Sequence, residues 1–415
     1  MQNWFSGKIG LRVKALALVG GTAALMVGSL PAFADDDGNK KNTLVVDDDL
    51  KQCPNAQFTE IQDAVVAAPS GATIHVCPGT YKKQVIIMKP LTITADTGSI
   101  LQPIGAVMNS SNADYPNTPV TALLLVMNTR GVSINDLTVD GSSSSPSACL
   151  PEYVGVMYKN ASGQLTNMAV RNIKLGTGLE GCQSGEAIFV QNDFGNLEVD
   201  ISDSSVHDYQ KTGILIDRAG SNSTVKHNYV TGLGSTPKIA QNGIQISRGA
   251  SATVTNNFVN NHLYALCTSD SCGDASSTNI LIMNASNSVT VRNNTAVTAQ
   301  IGIAVMSNSV QVQNNDVYDN KVFDGIDLLG NNNHAGSNNI FHSDTSGVYV
   351  EGTNNSVDGN TINEAPFGVL VYGSNQVNGN TYFNVPVPLS FNPLPPPMMT
   401  AAPVHSAGPR TVSPR

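Results

Sequence analysis

Gly302-Ile303-Ala304-Val305, Gly325-Ile326-Asp327-Leu328, Gly347-Val348-Tyr349-Val350 and Gly368-Val369-Leu370-Val371 repeat one pattern at steps of 23, 22 and 21 residues. A small residue is followed by two β-branched or aliphatic residues, one position apart. The pattern extends back through Asn279-Ile280-Leu281-Ile282, Gly243-Ile244-Gln245-Ile246, Gly213-Ile214-Leu215-Ile216 and Gly155-Val156-Met157-Tyr158, with a looser copy at Ala187-Ile188-Phe189-Val190. The steps before Asn279 are longer, as inserted loops require. Out of phase runs a second pattern, an alternating strand that ends in Asn228, Asn257, Asn294, Asn315, Asn360 or Asn380. Alternation with period two means strands rather than helices.

Strands of about five residues are too short to make stable hairpins alone. A unit that cannot bury its apolar face by itself can do so by stacking on copies of itself. In a parallel coil each turn rises by about 4.8 Å, so equivalent residues form ladders. Ile and Val ladders fill the inside, and corner Asn amides hydrogen-bond from coil to coil. Glycine ahead of the strand lets the backbone turn sharply. Handedness should be right, as in nearly all parallel crossovers. The expected class is therefore all-β, a single-stranded right-handed parallel β-helix. From about Thr43 to Asn384 the chain resembles the right-handed parallel β-helix family with the pectate-lyase-like fold. The stretch Phe58 to Thr94 resembles the start of many secreted proteins of that fold. The resemblance implies the fold. The residues that pectin methylesterases, polygalacturonases and alginate epimerases use for catalysis find no match here, so no roles carry over.

Residues 1–34 read as a signal peptide: Lys8, Arg12 and Lys14, then an apolar core from Ala15 to Leu30, then Ala32-Phe33-Ala34 as cleavage site. The apolar run is short and broken by Gly20-Gly21 and Gly28, which argues against a membrane anchor. Residues 35–71 form an N-terminal segment with a capping helix. Thr59 is its expected N-cap and Gln62 the N3 partner, and Ile61, Ala64, Val65 and Ala68 make one apolar face. Residues 72–390 form the β-helix, and 391–415 a Pro-rich disordered tail. The expected localisation is secreted or periplasmic. There, six cysteines read as disulfides, most economically Cys53–Cys77, Cys149–Cys182 and Cys267–Cys272.

Charged residues make up 13% of the chain and the net charge is −9. Removing the leader takes Lys+Arg from 22 to 19 against 31 acids, a net charge of −12. An acidic chain without a basic run is not a nucleic-acid binder. No membrane span is expected in the mature chain, and a monomer is.

Column logic supplies the candidate site residues. Gln191, Asp217, Ser247, Met283, Met306, Leu329, Glu351 and Tyr372 follow the repeated strand, and Asn192, Arg218, Arg248, Asn284 and Ser307 come next. Arg218 and Arg248 then lie one coil apart, with Asp193 and Asp217 beside them and His207, Asp208 and Lys211 bordering the stretch. β-Elimination of a uronate needs a base and a positive group or metal on the carboxylate. Arg218, Arg248, Lys211 and Asp217 are its catalytic candidates. Asp193, Asp208 and His207 are candidates for substrate binding, and calcium on Asp193 and Asp217 is an added option. A second candidate is the pair Asp324 and Asp327 with Glu351 on the next coil, since glycoside hydrolysis uses two carboxyl groups. Outward apolar residues Met157, Phe189, Leu215, Leu281, Tyr349 and Leu370 either stack on sugars or lie under loops such as 105–119. The leading expectation is a polysaccharide-binding or polysaccharide-cleaving protein, of lyase or glycosidase type. The alternatives are a non-catalytic adhesion module, or a periplasmic accessory protein of copper-enzyme maturation. The lack of a Cys, Met or His ligand cluster weighs against the last.

Overall fold

The computed structural model describes residues 43–114, 118–267 and 276–392. The leader 1–34, most of the tail and Cys272 lie outside them.

Three parallel sheets wind around one core. The first runs from Thr43–Val46 to Gln376–Asn378, the second from Gly79–Tyr81 to Thr381–Phe383, and the third from Val85–Ile87 to Val387–Asn392. Every coil contributes a strand to each sheet in turn, which is the expected β-helix. The stack starts earlier than residue 72, because Thr43–Val46 already pairs with Thr73–Val76. In the third sheet Ile188, Ile214, Ile244, Ile280, Ile303, Ile326, Val348 and Val369 stand in one column, and all are fully buried.

The glycine ahead of these strands has a different reason from the expected one. At Gly213 an added Cβ would lie 2.6 Å from the Gly243 carbonyl oxygen and 2.6 Å from Val230. Lack of room between coils excludes a side chain there, not the turn of the backbone. Sharp turning falls instead at the corner between the first and second sheets. His227, Asn256, Asn293, Asn314, Ser337, Gly359 and Gly379 each have positive φ one position before the ladder asparagine. That conformation suits Gly and Asn, which is why five of the seven coils read Asn-Asn or Gly-Asn there, with His227 and Ser337 in the other two.

The asparagines themselves form an unbroken ladder. The side-chain amide of Asn228 donates to Asn257 Oδ1, and so on through Asn294, Asn315, Asn338, Asn360 and Asn380, at 2.9–3.0 Å. Asn338 escapes the sequence pattern because Ala335-Gly336 precedes it.

The one helix among the described residues, α1 (Ile61–Ala67), lays Ile61, Ala64 and Val65 on the first coil. Its N-terminus corrects the expected capping box. Glu60 occupies the cap position and no side chain caps the helix. Gln62 Oε1 instead accepts the backbone N–H of Ile86 at 2.6 Å, and Glu60 Oε2 accepts those of Lys82 and Lys83. These side chains tie the helix to the coil below. Disulfides Cys53–Cys77 and Cys149–Cys182 are formed. No helix among the described residues is long and apolar enough to cross a membrane.

The outer face of the third sheet divides in two. Over the early coils, Ser110–Asn112 pairs antiparallel with Thr118–Met127. Val120, Ala122, Leu125, Val154, Met157, Phe189 and Leu215 form a second apolar cluster outside the main core. Outward Met157, Phe189 and Leu215 are therefore packed rather than offered to sugars. Over the late coils, Leu281, Tyr349 and Tyr372 are half-buried.

Candidate active site

Two carboxylate clusters occupy the outer face of the third sheet. The first joins four expected residues to a partner from elsewhere. Register places Asp217 beside Gln191 and Ser247, so Arg218 and Arg248 stand one coil apart. Both arginines have positive φ, 74° and 50°, at a corner where Asn128, Asn160 and Asn284 serve in other coils. Asp114 reaches across from the overlying segment to bind both. Arg218 Nη1 lies 2.6 Å from Asp114 Oδ1, and Arg248 Nη1 3.2 Å from Asp114 Oδ2. Arg218 Nε also pairs with Asp193 at 2.6 Å, and Arg248 Nη1 with Asp217 at 3.0 Å. Gln191 completes the lock, its amide donating to Asn112, Asp114 and Asp217 while its oxygen accepts the Ala113 N–H.

This arrangement spends the positive charge internally. Burial, with the neighbouring Asp114 carboxyl, pushes Asp217 up to about 7. Burial works the same way on Asp114, but its hydrogen bond with Asp217 and the two guanidinium groups outweigh it and hold Asp114 below the usual carboxylate range. Asp193 and Asp217 are committed to the arginines, so a calcium ion there would have to displace a guanidinium group. The cluster reads as a clasp fastening the 110–114 segment over the second apolar cluster.

Lys211 belongs elsewhere. It precedes Thr212–Asp217, at the opposite end of that strand from Arg218. Its Nζ donates to the Ala240 carbonyl at 2.8 Å. Burial pulls it down to about 8, while the charge of Glu186 works against that shift. Burial and Glu152 push Glu186 up to about 8, and its Oε2 is buried without a hydrogen-bond partner. His207 and Asp208 lie on the second sheet. They bond each other at 2.8 Å, and Lys174 pairs with Asp208 at 3.1 Å. Lys174 also lines a cavity of about 300 Å³ with Gln210, Leu233, Lys238 and Ile239.

The second cluster is the Asp324–Asp327 pair. Both residues are at least nine-tenths buried. Asp324 Oδ1 accepts the backbone N–H of Ser346 at 2.8 Å and its hydroxyl. The two carboxyl groups hydrogen-bond each other. Burial first, then the Asp324 charge, raises Asp327 well above the usual range, and its Oδ1 has no hydrogen-bond partner. Asp327 stands between Ala304 on one side and Tyr349 on the other. The Tyr349 hydroxyl donates to Glu351 Oε2 at 3.3 Å, and the Tyr349 and Tyr372 rings lie 5.5 Å apart, tilted by 48°. A buried acid held above the usual carboxylate range, a second acidic side chain one coil on and two aromatic rings therefore share one face.

Sequence reasoning missed Asp114, Glu152 and Glu186. Asp114 is 104 residues from Arg218, and no local pattern links them. Among the described residues, the groups with metal-ligand geometry are His75/Cys77/Asp96 and Asp47/Asp48/Asp49. Cys77 is in a disulfide, and the aspartates of the second group bind loop backbone N–H groups.

A coiled stack of parallel strands carrying its polar chemistry on one outer face is the architecture of the right-handed β-helix proteins. The chain belongs to the family described as the right handed beta helix region, whose model matches residues 122–335 and 274–389. No curated protein sequence matches it. Among solved structures it is similar to a GH136 lacto-N-biosidase from Eubacterium ramulus, with a TM-score of 0.61 at 12% identity over 82% of this chain and 68% of that one. It is also similar to a family 28 exopolygalacturonase from Yersinia enterocolitica, with a TM-score of 0.51 at 13% identity over 86% and 78%. The A-module of an Azotobacter vinelandii mannuronan C-5 epimerase gives 0.51 at 14% over 80% and 93%. At these identities the likeness is one of fold.

Proposed function

We propose that the protein is an exported glycoside hydrolase acting on a neutral glycan, with its chemistry at Asp324, Asp327 and Glu351. One observation carries this reading: a buried, hydrogen-bonded carboxyl pair beside two half-buried tyrosines and a second carboxylate. Asp327 keeps a proton at neutral pH and donates it to the glycosidic oxygen. Asp324, held by Ser346, positions it. Glu351, oriented by the Tyr349 hydroxyl, takes a proton from the attacking water. One coil and two residues separate the Asp327 and Glu351 backbones, about 8 Å. The separation of the two carboxyl groups, which decides between inversion and retention, is what the product anomer reads. Tyr349 and Tyr372 offer apolar faces to sugar rings. A uronate would be repelled by this acidic face, and the arginines that would bind one are already paired with aspartates. The two disulfides and the leader-like N-terminus support export.

The test is reducing-end release from xylan, mixed-linkage β-glucan and β-linked galacto- and N-acetylhexosamine oligosaccharides. Proton NMR then reads the first anomer formed. Asp327→Asn and Glu351→Gln should each lower kcat at least a hundredfold, with little change in KM. Release that Asp327→Asn leaves untouched sinks the assignment of the acid. Glycan binding without release from any substrate favours a non-catalytic adhesion module.

A further inference from the structure

The cavity of about 300 Å³ beside Lys174 takes no part in the chemistry assigned above. Three segments wall it: the one after strand Thr138–Asp140, the one after Ala169–Ile173, and the end of Tyr229–Thr236 with the turn that follows. Their backbones are tied to one another. Cys149–Cys182 joins the first two, and the Gly176 N–H donates to the Pro146 carbonyl at 2.8 Å. The Gln210 amide donates to the Leu179 and Cys182 carbonyls at 2.8 and 3.0 Å, and its oxygen accepts the Leu175 N–H at 3.0 Å. In the third segment Gln241 Oε1 accepts the Leu233 N–H at 2.8 Å. The cavity is therefore pre-formed, and its volume falls at the lower end of the range for small-ligand pockets.

Its lining combines three kinds of group. Leu175 and Ile239, both more than nine-tenths buried, and the part-exposed Leu233 supply apolar carbon. Ser145 and Thr177 supply hydroxyls, which both donate and accept. Lys174, Lys238 and Glu180 supply charge, and that charge is already balanced. Lys174 Nζ lies 3.1 Å from Asp208. The backbone N–H groups of Glu180 itself and of Gly178 hold the Glu180 carboxyl below the usual carboxylate range, and the Lys238 charge adds to them. An anion would have to compete with Asp208 and Glu180 for the ammonium groups, and a cation with the lysines for the carboxylates. An uncharged ligand meets no such contest. A sugar ring matches this lining: C–H groups on its faces, and around its edge hydroxyls that donate and accept.

We propose that this cavity is a second carbohydrate site, which holds a neutral sugar unit against Leu175, Leu233 and Ile239 with its hydroxyls on Lys174, Glu180 and Lys238. The site does not rest on hydrolysis at Asp327. That residue stands on the third sheet three coils beyond Asn242, about 14 Å up the stack, so a chain that cuts nothing can still bind here. The test is hydrogen exchange of the native full chain, read by peptide mass spectrometry. The probes are neutral β-linked trisaccharides of glucose, xylose, galactose and N-acetylglucosamine, with trigalacturonate as the charged control. Residues 174–182 and 232–241 should exchange several-fold more slowly with a neutral probe, and equally so at salt of about 20 and 500 mM. Leu233→Trp fills the cavity and should raise the half-saturating concentration by about tenfold or more. Thr177→Trp, at an exposed position of a different segment, should do the same if the first variant folds poorly. Unchanged exchange in both segments with every neutral probe overturns the proposal. Protection confined to residues 324–351 overturns it in favour of the Asp327 site alone. Protection by trigalacturonate only, lost at high salt, overturns it in favour of an anion site. Protection that survives both substitutions overturns it too.

Discussion

Arg218 and Arg248 occupy left-handed corners that cost a long side chain roughly 1 kcal/mol each, where asparagine serves in neighbouring coils. Their ion pairs with Asp114 offset that cost, so the strain belongs to the clasp. Asp114→Asn would leave two partly buried guanidinium groups short of a carboxylate. A buried pair broken this way costs about 3–5 kcal/mol, and the one-third exposure of both arginines reduces the expectation to about 2 kcal/mol in urea unfolding at pH 7. Asp217→Asn should differ sharply from it. Asparagine can still accept from Ser247 and Arg248 through Oδ1 and turn its amide N–H toward Asp114, leaving only the 3.2 Å bond from Gln191 unmade. Its expected change is within about 0.5 kcal/mol. Equal losses for the two variants would mean that the charge on Asp217, not the Asp114 bridge, holds the segment down.

At the scale of elements, the asparagine ladder is the part of the fold most open to a single test. Asn315 accepts the backbone N–H of Asn294 at 3.0 Å and donates to the Val291 carbonyl and to Asn338. Asn315→Ala strands those groups inside the corner and should cost about 2–3 kcal/mol. Hydrogen exchange should quicken in the two flanking coils first. Asn380→Ala, at the ladder's half-exposed end, should cost clearly less; equal costs would make the ladder a passive spacer. The ladder was legible because Val-x-x-Asn is local, and Asn338 was hidden only by its unusual approach. Asp324 and Asp327 were legible for the same reason: three residues apart, one just ahead of the strand Ile326–Leu328 and one within it, they needed only the coil premise to come together. The clasp was not, because Asp114 arrives on a segment whose path no repeat dictates. Helix α1 was found from its apolar spacing, but its cap was misread: Gln62 has two uses in principle, and tertiary contact with Ile86 won.

For the molecule as a whole, the buried titrating groups set a pH preference. Asp217, Glu186 and Asp327 hold protons in the fold that the unfolded chain gives up near pH 4. Raised acids of this kind contribute stability below the unfolded value and lose it as pH climbs, through about 7 for Asp217 and about 8 for Glu186. His262 runs the other way. It is fully buried between Tyr209 and Asn279, and burial pulls it down to about 4. The unfolded chain binds its proton below about 6.5, so His262 subtracts stability as pH falls from there toward 4. Between these limits three acids outweigh one histidine, and net stability declines with rising pH. Thermal melts from pH 4 to 9 should therefore give the highest Tm at about pH 4–5 and a steady fall to pH 8. Replacing Asp217 and Asp327 with Asn and Glu186 with Gln should remove that fall and leave the rise between about pH 4 and 6.5 that His262 contributes. A Tm that climbs from pH 5 to 8 in the parent chain would mean that these carboxyl groups are ionised in the fold. The proton donor assigned to Asp327 would then be missing at neutral pH.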